Sequence, residues 1–273
     1  MAMTSTHAPM ATAGQARSGA GTPTFASVVR SEFTKIRSVR STYWTLLVLV
    51  IITVGFGALA SFGATRGQHG PFFDATQRSL GGLYISQLVI GVLGVLVISS
   101  EYSTGMIRTS LSVLPQRGIV YTAKALVFTV VALVAGLVTS FGSYFLGQAI
   151  FATQHLNSNL GQPGVLRAVI GGGLFLGACG LLSYGIGALL RHTAGAITAS
   201  VALLFVLFVL SGFLPNNWAV HVDKWIPFNA GGAIWENLSG VNMFSPWAGF
   251  GVFCCYAAAA VIGGGILFRT RDA

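Results

Sequence analysis

The residues able to do chemistry are few and do not fall into catalytic spacings. Cys179, Cys254 and Cys255 all lie inside apolar runs, without a C-x-x-C pair and without a histidine spaced to complete a metal site, so they are expected to be small packing residues. No H-E-x-x-H or G-x-S-x-G sequence is present to suggest a metal-assisted or serine hydrolase. Gly171, Gly172 and Gly173, followed by Gly177, Gly180, Gly185 and Gly187, superficially mimic a phosphate-cradling loop. The Lys-Ser/Thr that would reach the phosphates and a magnesium ion is missing there and everywhere else in the chain. Inside an apolar run, Gly173-x-x-x-Gly177 is better explained by close helix packing. The chain is therefore expected to perform no covalent chemistry and to hold no metal or cofactor of its own.

One polar segment stands out, running from Ser99 through Glu101, Tyr102, Gly105, Met106, Ile107 and Arg108 to Leu111, with Pro115, Arg117 and Lys124 beyond it. Ser99 or Ser100 could cap a short helix with Glu101 in its first turn, where a carboxylate suits the helix dipole. Met106, Ile107 and Leu111 would then form an apolar patch. Patch and charge together suit docking onto a soluble partner, and a capped connection between two spans explains them as well.

The elements that would position this segment follow from composition. The 273 residues are 53% hydrophobic and only 8% charged, with a mean hydropathy of +0.75, a balance that requires lipid as solvent. Six runs without Asp, Glu, Lys or Arg are each long enough to cross a hydrocarbon core of roughly 30 Å. They cover about Tyr43 to Ala64, Leu80 to Ser100, Ala125 to Phe151, Ala168 to Leu190, Ala194 to Leu214 and Trp247 to Phe268. The third is long enough to tilt or to extend past the bilayer. The alternation of a transmembrane barrel is missing. The net charge of +9 is accounted for by basic clusters beside the spans, so nucleic acid is not expected as a partner.

Eleven of the fifteen lysines and arginines fall on the side of both termini. They are Arg17, Arg30, Lys35, Arg37, Arg40, Arg108, Arg117, Lys124, Arg191, Arg269 and Arg271, against Arg66, Arg78, Arg167 and Lys224 opposite. Both termini are thus expected in the cytoplasm. Residues 1–24, rich in Ala, Gly, Ser, Thr and Pro and lacking an apolar core segment, are expected to be a disordered cytoplasmic tail and not a signal peptide. Residues 25–270 then form a single membrane domain. Within it, Phe25, Val28, Val29, Phe33 and Ile36 recur at helical spacing, which predicts an amphipathic interfacial helix over 25–40. Between Pro215 and Pro246, Trp218, Trp225, Phe228, Trp235 and Phe244 make a loop too apolar to float in water, so it is expected to lie on or re-enter the outer membrane surface.

No charge lies inside any of the six runs, which leaves the chain without the relay that ion-coupled transporters keep at membrane depth. Tyr84, Ser86 and Gln87 in the second run and Thr198 and Ser200 in the fifth could line a translocation path, or could bond neighbouring helices.

The segment Glu101, Tyr102, Gly105, Ile107, Arg108, Leu111, Pro115, Arg117 and Lys124, with the "S-E-F-x-K-I-R-S" helix at Ser31 to Ser38, resembles the type-2 ATP-binding cassette (ABC) export permeases of bacteria. The likeness extends over most of residues 25–270. It implies an all-α membrane fold of six transmembrane helices with an N-terminal amphipathic helix, a cytoplasmic coupling helix between spans two and three, and an external re-entrant region before span six. It also implies a second permease copy or a paralogue, and two copies of a separate ATPase that binds ATP and magnesium. On this basis the chain is expected to be the permease subunit of an exporter of amphiphilic or hydrophobic cargo in the bacterial inner membrane, coupled to its ATPase through Glu101, Tyr102, Gly105, Met106, Ile107, Arg108 and Leu111. The cytoplasmic turn Arg191-His192-Thr193 is too short for a large second docking contact. The rivals are an ATP-independent channel or facilitator and a membrane-anchored assembly or regulatory protein.

Overall fold

The computed structural model describes residues 24–67, 73–103, 117–236 and 244–270. Among them, every regular element is helical: α1 (Phe25–Ser38), α2 (Arg40–Thr65), α3 (Ala75–Ser79), α4 (Leu83–Ser103), α5 (Arg117–Ala152), α6 (Val165–Leu190), α7 (Thr193–Ser211), α8 (Asn216–Val222), α9 (Pro227–Gly232) and α10 (Pro246–Thr270). Six of these, α2, α4, α5, α6, α7 and α10, are long and apolar enough to span a membrane, in agreement with the fold class expected from the sequence. The helix of the third span begins earlier than its uncharged run. It starts at Arg117 and takes in Lys124, and its 36 residues measure about 54 Å, well beyond a bilayer core. The fifth span is interrupted by a π-helical stretch over Ala202–Val206.

α6 is the central post, and glycine makes it so. A Cβ on Gly136 of α5 would stand 2.6 Å from the Gly173 carbonyl, and one on Gly185 of α6 would stand 2.5 Å from the Ala260 carbonyl carbon of α10. A Cβ on Gly94 of α4 would press still more closely on the Gly180 carbonyl. Small residues let backbones approach in lipid, where dispersion rather than exclusion of water drives helix association. The glycine run thus packs helices, as its place inside an apolar span implies.

Hydroxyls and amides fasten the remaining helices. Thr53 of α2 shares a 2.6 Å hydrogen bond with Ser86 of α4. Ser143 of α5 donates to the Ser79 carbonyl at 2.6 Å and to the Thr53 carbonyl at 3.1 Å. Gln148 donates to the Ser79 hydroxyl at 2.9 Å and accepts from the Ser158 N–H at 2.6 Å. α3 is closed at its start by Asp74, which accepts from the N–H groups of Thr76 and Gln77.

The bundle has two unlike ends. At one, α1 lies across the start of α5 and is joined to α2 through a single extended residue, Val39. At the other, α8, a 3₁₀ turn (Asp223–Trp225), α9 and the turn to Glu236 form a hairpin seated on the spans. Phe228, Ile234 and Trp235 are buried, whereas Trp218, Trp225 and Trp247 are exposed. The rings of Phe228 and Trp235 pack against Phe175 of α6 at 5.8 and 6.3 Å, and Gly231 lies against Phe175 and Phe253.

Candidate functional site

At the α1 end, the expected capping is not found. α4 continues unbroken through Ser99 and Ser100 to Ser103, so Glu101 stands in the last turn of a long helix and not the first turn of a short one. Neither serine precedes a glycine or proline that would stop the span, and the run of apolar residues behind them carries the hydrogen-bond ladder forward. The Ser99 hydroxyl instead accepts from Thr193 at 3.0 Å, at the start of α7. At this position a carboxylate faces the negative end of the helix dipole, which disfavours it unless a cation is supplied. Tyr102 follows, its ring edge-on to Phe268 at 6.3 Å and covered by the Arg191 guanidinium at 5.2 Å. Gly105, Met106, Ile107, Arg108 and Leu111 lie outside the described residues.

The turn at Arg191-His192-Thr193 is tightly built. Arg191 takes a left-handed conformation (φ 54°) and donates to the Leu267 carbonyl at 2.7 Å, and His192 accepts from the Gly195 N–H through Nδ1 at 3.1 Å to cap α7.

A charge cluster missed in the sequence joins α1 to α5. Glu32 of α1 is 98% buried, and its two carboxylate oxygens meet Lys35 Nζ at 2.6 Å and Lys124 Nζ of α5 at 2.8 Å. Burial alone would raise this carboxyl, yet the two ammonium groups, Lys124 foremost, hold it below the ordinary carboxylate value. α1 therefore turns Val28 and Glu32 toward the bundle and leaves Phe25 and Phe33 exposed, so the stripe read from the sequence is divided between two faces. The signal available was an acid spaced four residues from both Val28 and Ile36, on what would otherwise be an apolar face.

The five residues considered for a path have different surroundings. Ser86 is buried between α2 and α4, bonded to Thr53 and to the Gly82 carbonyl. Gln87 is buried one residue on, donating to the Tyr84 carbonyl, and its Oε1 has no hydrogen-bond partner among the described residues. Thr198 is exposed and bonds back to the Ala194 carbonyl. Ser200 lines a narrow crevice with Gly91 and Leu204 beside the π-helical stretch, and Ser183, missed in the sequence, stands against the same Gly91. Neither of these two buried hydroxyls is hydrogen-bonded among the described residues.

Tyr84, at the start of α4, belongs to a different group. Its ring stacks on Phe228 at 5.3 Å and meets Trp235 edge-on at 5.2 Å, and its hydroxyl is the donor facing Glu236. Glu236 is 95% buried. Enclosure in this apolar surrounding pushes its carboxyl up to about 7, and the Tyr84 hydroxyl only partly offsets the burial. The sequence concealed Glu236 because it lies in a loop, outside every uncharged run.

The family model described as ABC-2 family transporter protein matches residues 28–211, from within α1 to the end of α7. No curated protein matches the chain.

Proposed function

Because this chain belongs to the ABC-2 transporter family and carries six helices able to span a membrane, it is an ABC transporter permease, and we propose that it is the transmembrane half of an ATP-driven exporter. Its partner in this reading is a separate ATPase, present in two copies and holding ATP and magnesium, with a second permease copy or a paralogue completing the pore. The α1 end faces the cytoplasm of a bacterial inner membrane, as the distribution of basic residues favours. The cargo is amphiphilic or hydrophobic.

The observation that carries this reading is the family match over α1 to α7. The convergence at the α1 end supports it. The close of α4, the start of α5 and the turn into α7 meet there, and α1 is bound to α5 through the buried Glu32 and Lys124 pair. A push on the segment after Glu101 would be felt by α4 and α5 together, and through Lys124 by α1. The chain performs no step of ATP hydrolysis in this scheme and transmits closure of the ATPase pair to its spans.

The test is purification with and without the ATPase. The expected outcome is that an ATPase subunit co-elutes with the tagged permease and that ATP turnover appears only in the assembled complex. Turnover by the isolated chain, or transport without any ATPase, would overturn the reading in favour of an enzyme or of a channel or facilitator.

A further inference from the structure

We propose that Glu236, ringed by Tyr84, Phe208, Phe228 and Trp235, holds the positive group of a hydrophobic organic cation, an amine or onium, at the hairpin end of the path. The inference rests on the permease reading and gives its cargo a chemical class.

The acids of the described residues whose side chains can be followed are otherwise accounted for or lie nearer the surface. Glu32 is held by two lysines, and Asp74 caps α3. Asp223 is only partly buried, and its backbone carbonyl accepts from Asn229 within the same hairpin. Asp223 Oδ1 and Glu236 Oε1 are both enclosed and accept no hydrogen bond among the described residues, but Glu236 differs in being buried as a whole residue, at 95%, against the aromatic rings. A buried acid left in this state is costly, whether it is charged and unpaired or neutral and under-bonded.

The surroundings fit one kind of partner. A Cβ placed on Gly232 would lie 3.7 Å from the Glu236 carboxyl carbon and 3.8 Å from the Phe228 ring, so acid and aromatic edge share one space. Phe208 of α7 packs on Phe228 at 4.2 Å, and Tyr84 and Trp235 stand at about a right angle beside them. Rings set around a single carboxylate recognise a weakly hydrated cation through its charge and through the negative faces of the rings, and an inorganic ion would demand more oxygen ligands. Tyr84 is only partly buried, and in this reading its ring turns aside to admit the cation. The ionisable neighbours are Tyr84 itself and, behind it, Arg78 of α3. An arriving cation would take the place of a proton, leaving no net charge buried.

The experiment uses the full chain, alone and assembled with its ATPase, in nanodiscs of neutral lipid. Tetraphenylphosphonium is the probe, and tetraphenylborate, of nearly the same shape and opposite charge, is the control for partition into lipid. Saturable binding of the phosphonium is expected, weakened about tenfold or more by Glu236→Gln and to a lesser degree by Phe228→Leu, with the borate unchanged. Melting curves recorded on each variant show that it is folded. Folded Glu236→Gln that binds the phosphonium as the wild type does, or wild type that binds it no better than the borate, overturns the site. ATP turnover in the complex is recorded in parallel. Normal coupling to the ATPase without cation binding removes the site and leaves the permease reading standing, whereas binding without any ATPase partner does the reverse.

Discussion

Glu32 and Glu236 are acids buried at opposite ends of the bundle, and their neighbours set opposite responses to pH. Lysines hold the Glu32 carboxyl below its ordinary value of 4.5, so it contributes stability that is fully present above that value and is lost as pH falls below it, through the lowered value of the folded state. The Glu236 carboxyl is raised from 4.5 to about 7, so the neutral acid is the favoured folded form. Its contribution is full below about 4.5 and is lost as pH rises to about 7, an effect on the order of 3 kcal/mol. Gln substitutions read with melting curves between pH 4 and 8 should therefore diverge. Glu32→Gln is expected to lower the melting temperature at pH 8 and throughout the range above about 4.5, with the deficit beginning to shrink only as pH 4 is reached. Glu236→Gln is expected to match or fall slightly below the wild type at pH 4 and to exceed it at pH 8. Parallel curves for the two variants would mean that their environments do not differ as described. Neither role was legible in the sequence, because a carboxylate's partner depends on which helix crosses it, and Lys124 is 92 positions from Glu32.

At the scale of elements, the six spans were legible because lipid demands an uninterrupted apolar run, and a run without charge has no competing explanation at that length. The ends of the spans were not. Helix α5 begins eight residues before the apolar run it was read from, since Arg117 and Lys124 at a helix start are no obstacle once they lie at the membrane edge or meet Glu32. The cap expected at Ser99 failed for the complementary reason, that a local capping preference of about 1 kcal/mol does not stop a helix already running. Packing by glycine was legible in kind but not in partner. Gly94 and Gly55 provide the comparison. A Cβ on Gly94 would press on the Gly180 carbonyl and stand 3.1 Å from the Tyr184 N–H, whereas one on Gly55 would meet nothing within 4 Å. Gly94→Ala should destabilise by about 1–3 kcal/mol through separation of α4 from α6, and Gly55→Ala should cost nothing measurable. Equal effects on melting in detergent would show that α4 and α6 are not held at this spacing.

For the whole molecule, the question is how the α1 end reports to the hairpin end, and α4 is one element that reaches both, from Tyr84 beside Glu236 to Glu101 in its last turn. A rigid helix moved at one end displaces the other, so a pull at Glu101 would shift Tyr84 against the hairpin rings. The position of Glu101 sharpens the test. A carboxylate in the last turn of a helix opposes the dipole by about 0.3–1 kcal/mol, so neutralising it should leave the isolated permease as stable as before or slightly more so. If the carboxylate meets a basic group of the ATPase in a partly desolvated contact, its loss should cost about 1–3 kcal/mol of docking, or roughly five- to a hundredfold in affinity. Glu101→Gln is therefore to be measured twice, once for melting of the solubilised permease and once for cargo-stimulated ATP turnover of the assembled complex. Unchanged or raised stability with lost stimulation is the expected pair of results. A fall in stability equal to the fall in stimulation would assign Glu101 to holding the fold, and no change in either would remove it from the coupling path.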